Sequence, residues 1–298
     1  MKIVFIHGRS QDQSQHHKDP DKLKKDWTKA MLTGLKKIGP KSPQSSDILF
    51  PYYGEQLFKD TEGITQKRFH ELLDKGDNAP LPGSEEEQFI RELVFEIAAR
   101  QGISHQQIAE ETTGELVDKG IQNWRSVLAA LRLLDHVPSI ASASIELITR
   151  DVWCYLTNVG ARRTVNSIVD DAIPKTEPCI IVAHSLGTIV AYNVLMDRHD
   201  RSNIRKLITV GSPLGIEAVL QRLPSDSPPR KAPAGVPYWF NARDERDVVA
   251  LYEIPAARYH GSPIVTNYNG VRNTSNNRHG IREYLMDPVV AKAIYDEL

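Results

Sequence analysis

The apolar run Cys179-Ile180-Ile181-Val182-Ala183 leads directly into His184-Ser185-Leu186-Gly187, and from Leu186 to Asp197 apolar residues recur at helical spacing. Five successive apolar residues need burial on both faces, which a parallel sheet covered by helices provides. A strand passing so abruptly into a helix requires a sharp turn. Ala183 and Gly187 are small enough to let helix and strand approach. This segment alone commits the chain to an α/β architecture.

The rest of the chain repeats the pattern. Ile3-Val4-Phe5-Ile6 is a second buried run, closed by His7-Gly8 and followed by a polar loop holding Gln11, Gln13, Gln15, His16 and His17. Leu23, Trp27, Met31, Leu35 and Ile38 mark an amphipathic helix over 21–38 whose lysines face solvent. Further strands are expected at Ile48–Gly54, Leu207–Gly211, Tyr238–Asn241 and Ile264–Thr266, and Pro288 opens a last helix. Residues 145–173 read as one long helix or a pair broken at Gly160. The five prolines between Pro224 and Pro237 mark a surface loop.

Residues 56–140 differ in texture. Ser84 and Glu87 form a capping box before the stripe Phe89, Ile90, Leu93, Val94 and Ile97. A second stripe, Trp124, Val127, Leu128, Leu131 and Leu134, runs until Pro138. Because the sheet resumes afterwards, 56–140 reads as a helical insertion within one domain spanning 1–298. A chain of 298 residues buries roughly three quarters of its unfolded surface, enough for a core without staples.

Composition removes several function classes. The 37 basic and 38 acidic residues balance to a net charge of −1, which gives no field for nucleic acid or an anionic membrane. Residues 98–109 superficially resemble a helix-turn-helix, but 85–120 carry nine acidic and three basic side chains, the wrong sign for DNA. His16, His17, Asp19 and Asp21 lack the spacing of a tetrahedral metal site, and no cofactor motif is present. Cys154 and Cys179 have no CxxC partner and read as small buried hydrophobes, which fits a reducing, cytoplasmic setting. Met1–Gly8 turns polar too soon for a signal peptide, and no apolar stretch approaches the ~20 residues of a membrane span. Nothing in the sequence points to a protein partner.

The chemistry concentrates around Ser185. A Gly/Ala-x-Ser-x-Gly match arises by accident on the order of 0.2 times in a chain of this length, so its strand–turn–helix setting carries the weight. The helix start also brings amide donors and a positive dipole end to the hydroxyl. The plainer role for Ser185 is that of a helix cap.

Ala183-His184-Ser185-Leu186-Gly187 resembles the nucleophile elbow of the α/β-hydrolase superfamily. Phe5-Ile6-His7-Gly8 is similar to that superfamily's strand before the oxyanion loop. Asn241-Ala242-Arg243-Asp244-Glu245-Arg246-Asp247-Val248-Val249 resembles its acid loop, and His279-Gly280 its histidine loop. The resemblance spans residues 2–298 outside the insertion. It implies an α/β-hydrolase fold, a mainly parallel sheet covered by helices on both faces, with the insertion as a lid.

A serine hydroxyl needs a base, and the base needs a carboxylate to orient it. In this fold the order is serine, acid, histidine. After Ser185 come only His199, His260 and His279. His199 lies at the far end of the following helix, roughly 20 Å away at 1.5 Å per residue. His260 precedes the last strand, at the wrong sheet edge, and His279 follows it in a polar loop, where a base belongs. Asp247 fits the Asp-x-Val pattern of the acid, with Asp244 the alternative, equally placed to serve as a turn residue. The backbone N–H groups of Arg9 and Leu186 are the expected oxyanion donors. The Arg9 guanidinium is either a surface charge or a contact for an anionic substrate group.

The expectation is a serine hydrolase that cleaves a small-molecule or lipid carboxylic ester through an acyl-serine, using Ser185, His279 and Asp247. Phe89, Leu93 and Val94 would line an acyl pocket in a lipase or phospholipase, unless they pack inward as helical stripes usually do. A non-catalytic binding module keeping the fold is the alternative of a different class.

Overall fold

Apolar runs that need two covered faces find them in a six-stranded sheet sandwiched between helices. The computed structural model describes residues 1–8, 19–57, 84–112, 119–137, 142–224, 230–275 and 278–298. In chain order the elements are β1 (Lys2–Ile6), α1 (Pro20–Leu35), β2 (Ile48–Leu49), α2 (Glu85–Arg100), α3 (His105–Thr112), α4 (Lys119–Asp135), α5 (Ser142–Thr157), α6 (Val159–Ala172) and β3 (Cys179–His184). There follow α7 (Leu186–Asp197), β4 (Ile204–Val210), α8 (Glu217–Leu220), β5 (Arg230–Lys231), β6 (Tyr238–Ala242), β7 (Tyr259–His260), β8 (Val265–Tyr268), α9 (Ile281–Met286) and α10 (Pro288–Tyr295). The main sheet runs β2-β1-β3-β4-β6-β8 with every neighbouring pair parallel, and β5 pairs with β7 separately.

Alternation along the strands divides the core. Ile3, Phe5, Ile180, Val182, Ile208 and Val210 face Trp27, Met31, Leu35, Tyr284, Leu285, Val290 and Ile294 of α1, α9 and α10. Val4, Ile6, Ile181, Ala183 and Leu207 face the opposite layer, where Leu93, Val94, Ile97, Val165, Ile189 and Val190 pack. Each such fully buried aliphatic side chain is worth about 1.5–3 kcal/mol. α7 is buried from Leu186 through Leu195, all round its circumference, which explains why its sequence is apolar on every face.

The strand order also fixes where a site can form. From β1 the chain goes to β2 on one side and later returns to β3 on the other. The loops after β1 and β3 therefore diverge and open a crevice at the carboxyl end of the sheet. Gly8 follows β1 and Ser185 follows β3.

The helix α2 packs into the core. Phe89, Leu93, Val94 and Ile97 are fully buried in the same cluster as Val4 and Ile181. The Glu96 carboxylate accepts the N–H groups of Glu217 (2.9 Å) and Ala218 (3.2 Å) at the start of α8, and Glu92 pairs with Arg222 at 2.7 Å. Burial raises the Glu96 carboxyl above its ordinary pKa. Ser84 accepts from the Glu87 N–H at 3.2 Å, the serine half of the expected capping box.

Several boundaries shift by a few residues from the sequence expectation, β4 beginning at Ile204 and β8 reaching Tyr268, and two of the shifts have a clear cause. β2 ends at Leu49 rather than near Gly54, because Pro51 has no N–H for a ladder and the Tyr53 N–H is directed at His7 Nε2 (3.3 Å). The break between α5 and α6 falls at Asn158 rather than Gly160, since Asn158 Oδ1 caps α6 by accepting from the Ala161 N–H at 3.0 Å. No helix among the described residues is long and apolar enough to cross a membrane.

Candidate active site

The turn from β3 to α7 forces Ser185 to φ 57° and ψ −133°, a region that costs a non-glycine residue about 1–3 kcal/mol. Its Oγ makes no capping hydrogen bond to α7, so the plain role of helix cap does not explain it. Two glycines leave the room this turn needs. A Cβ on Gly187 would lie 2.4 Å from Ile6 O and 2.5 Å from His7 O, and one on Gly8 would lie 2.8 Å from Ser185 Cβ and 3.2 Å from its Oγ. The helix therefore meets the strand before the first loop backbone to backbone at Gly187, and the serine side chain lies directly against Gly8. Leu186 opens α7, so its N–H has no acceptor within the helix. Arg9, the other expected oxyanion donor, lies outside the described residues, as do His16 and His17.

The acid and histidine loops meet on one carboxylate. Asp247 is fully buried, and its Oδ2 accepts from His279 Nδ1 at 2.8 Å and from the Tyr284 hydroxyl at 2.7 Å. Its Oδ1 accepts the Val249 N–H at 2.9 Å. With the Nδ1 proton given to Asp247, Nε2 of His279 carries the lone pair, the tautomer a general base requires. His279 is the one ionisable partner of Asp247 among the described ion pairs. The carboxylate otherwise meets neutral donors, so an imidazolium formed beside it is stabilised where little water screens the pair.

Asp244 takes a different task. Its carboxylate accepts from the Arg246 N–H (2.8 Å) and guanidinium (3.2 Å), and from the Asn273 N–H at 2.7 Å. It thus fastens the acid loop to the strand-to-histidine loop and closes a local turn, the alternative role open to it from sequence. His199 and His260 are exposed; His260 pairs with Lys231 in the small sheet.

Several residues that hold this arrangement were not expected. His184 is buried, its Nε2 lies 3.0 Å from the His279 carbonyl, and the two imidazoles face each other at 4.5 Å. Burial, with the neighbouring His279, pushes the His184 pKa well below its ordinary value, so the ring is neutral and its Nε2–H donates. Gly211, at φ 57°, ends β4 beneath both rings: a Cβ there would lie 3.1 Å from His279 Cε1 and 3.2 Å from His184 Cδ2. Arg243 is buried and donates to the carbonyls of Ala250 (3.1 Å) and Leu251 (2.9 Å), which fixes the exit of the acid loop.

His7 is held in the same way. Nδ1 donates to the Gly8 carbonyl, Nε2 accepts from Tyr53, and the Tyr53 ring stacks at 4.1 Å. Complete burial lowers its pKa to about 4. The signals for these residues were weak: His184 stands inside the elbow motif, but Tyr284 and Gly211 carry no pattern that marks them.

Cys154 and Cys179 are buried and not joined in a disulfide, and burial pushes the Cys179 thiol up to about 11, away from the reactive thiolate. Among the described residues no group of His, Cys, Asp and Glu comes together that could hold a metal ion. No protein family, curated protein or solved structure matches the chain.

Proposed function

We propose that this protein is a serine hydrolase of the α/β-hydrolase type that cleaves a carboxylic ester through an acyl-serine intermediate. The observation that carries this reading is the strained Ser185 turn, lying against Gly8, on the sheet edge where His279 meets the buried Asp247 carboxylate at 2.8 Å. Strain of this size persists where the surrounding structure over-determines it, and it clusters at reactive residues. The order of elements, with the nucleophile after β3, the acid after β6 and the histidine after β8, supports the same assignment.

In this reading the reaction runs in two stages. Nε2 of His279 takes the Ser185 Oγ proton as Oγ bonds to the ester carbonyl carbon. The carbonyl oxygen becomes an oxyanion, met by the Leu186 N–H and, in this reading, the Arg9 N–H. Collapse expels the alkoxide, which takes the proton from His279, and the acyl group stays on Oγ. Water then gives a proton to His279 and attacks the acyl carbon; the acid leaves and Oγ recovers its proton. Asp247 keeps its charge throughout and orients the ring.

The decisive experiment is labelling with a fluorophosphonate probe. The native protein is expected to be labelled and Ser185→Ala is not; equal labelling of both overturns the reading. A lipid substrate stands as the second possibility, although the apolar stripe of α2 is packed into the core. Rate against acyl-chain length separates the two, a steady fall beyond short chains favouring the small ester. The two buried cysteines outside a disulfide support a reducing, cytoplasmic setting.

A further inference from the structure

We infer that Tyr284 is a positioning residue of the candidate triad, setting the strength of the Asp247–His279 hydrogen bond from the far side of the carboxylate. The inference rests on the hydrolase reading above. Tyr284 is fully buried on α9, the helix that begins two residues after His279. Its hydroxyl accepts the Asp244 N–H at 3.1 Å and donates to Asp247 Oδ2 at 2.7 Å. Both directions of the hydroxyl are thereby used, so its proton is aimed at one oxygen. That oxygen is the one His279 Nδ1 also reaches, at 2.8 Å.

Two donors on one carboxylate oxygen share its electron density. The Tyr284 proton withdraws charge that Asp247 would otherwise present to the imidazole, and it fixes the plane of the carboxylate relative to the ring. Asp247 has no arginine or lysine partner among the described ion pairs; the Arg246 guanidinium lies on Asp244. A neutral donor therefore tunes the carboxylate, drawing on its charge less than a cation would. Among the described residues, the charged and titratable groups around the pair are His184 from the end of β3, Arg243 and Asp244 with Arg246 from the acid loop, Tyr284 from α9, and His7 from the end of β1 acting through His184; the Arg243 guanidinium is engaged by the Ala250 and Leu251 carbonyls. Burial and the Asp247 charge hold the Tyr284 hydroxyl in its protonated form.

Tyr284→Phe deletes only the hydroxyl. The expected result is a kcat lower by about 10-fold with KM changed by less than about twofold, the size of one lost hydrogen bond to a charged group. The acid limb of the kcat/KM profile should move upward by roughly half to one pH unit, because the unshared carboxylate favours the imidazolium more. The low-field proton resonance of the His279–Asp247 bond should shift further downfield. Replacing Tyr284 by 3-fluorotyrosine keeps the shape, strengthens the donor and should move the acid limb the other way. It also stands in should the phenylalanine variant fold poorly.

An acid limb unmoved in both variants, or a kcat equal to that of the native protein, overturns the role of Tyr284. Ser185→Ala is assayed alongside: loss of phosphonate labelling there with an unmoved limb in the Tyr284 variants defeats this inference alone. Full labelling of Ser185→Ala defeats the hydrolase reading beneath it.

Discussion

The elbow at Ser185 and the paired loops at Asp247 and His279 lie on the same sheet edge, yet they are built by opposite means. At the elbow, backbone meets backbone: Gly187 lies against Ile6 O and His7 O, Gly8 lies against Ser185, and the serine itself is forced to positive φ. In the loops, side-chain hydrogen bonds do the holding. Asp244 reaches Asn273, Arg243 reaches Ala250 and Leu251, and Asp247 gathers His279, Tyr284 and Val249. Sterics dictate the first region, and it tolerates no added atom. Polar satisfaction dictates the second, so each donor there can be removed singly and its effect read.

The sharpest test of the loops is to treat their two aspartates alike. Asp247→Asn is expected to lower kcat by about 10⁴-fold, since the amide stabilises the wrong tautomer and no imidazolium. Asp244→Asn should leave any hydrolysis by the folded protein at its native rate and cost about 1–3 kcal/mol in urea unfolding, through weakened bonds to Arg246 and Asn273. If the two substitutions behave alike in turnover, the division of labour between them is wrong.

At the elbow the corresponding test is an added methyl. Gly187→Ala brings Cβ to 2.4 Å from a carbonyl oxygen that cannot move without shifting β1. We expect a loss of about 3 kcal/mol or more, measured by chemical denaturation. A Gly187→Ala protein with native stability would show that the elbow is not sterically fixed.

The pH dependence of stability touches the elbow's neighbour. The His7 pKa is lowered to about 4 by burial, against an ordinary value of 6.5. A depressed histidine binds fewer protons folded than unfolded, so its contribution is fully present above pH 6.5 and is lost as pH falls toward 4. The loss amounts to about 3 kcal/mol at 1.36 kcal/mol per pH unit. His184 is shifted in the same direction. Unfolding free energy measured from pH 7 to pH 4 should fall accordingly, and His7→Gln should flatten the slope.

The smallest effect concerns strain. Ser185→Gly should abolish phosphonate labelling while raising stability by about 1 kcal/mol, because glycine meets no steric penalty at φ 57°. A loss of stability instead would mean that the serine side chain contributes more packing than its backbone stores in strain.

Local patterns made the elbow legible. An apolar run, two small residues and a helical repeat follow one another in the sequence, and sterics act between near neighbours. The parallel strand order was implied by runs needing two covered faces, although the ends of β2 and the Asn158 break depended on which N–H found which acceptor. The Asp-x-Val spacing favoured Asp247, but Asp244 stayed open as the alternative because both follow β6 and both can close a turn.

By itself, then, the sequence determined the α/β layering and the strand-to-helix turn at Ser185. Those follow from periodicity and from the size of single side chains. Tertiary structure alone decided that Asp247 meets His279 and that Tyr284 shares its oxygen. It also decided that Gly211 clears space beneath the rings and that the Phe89 stripe faces the core. Such contacts join residues tens of positions apart, and hydrogen bonds between them leave no period in the chain for a reader to find.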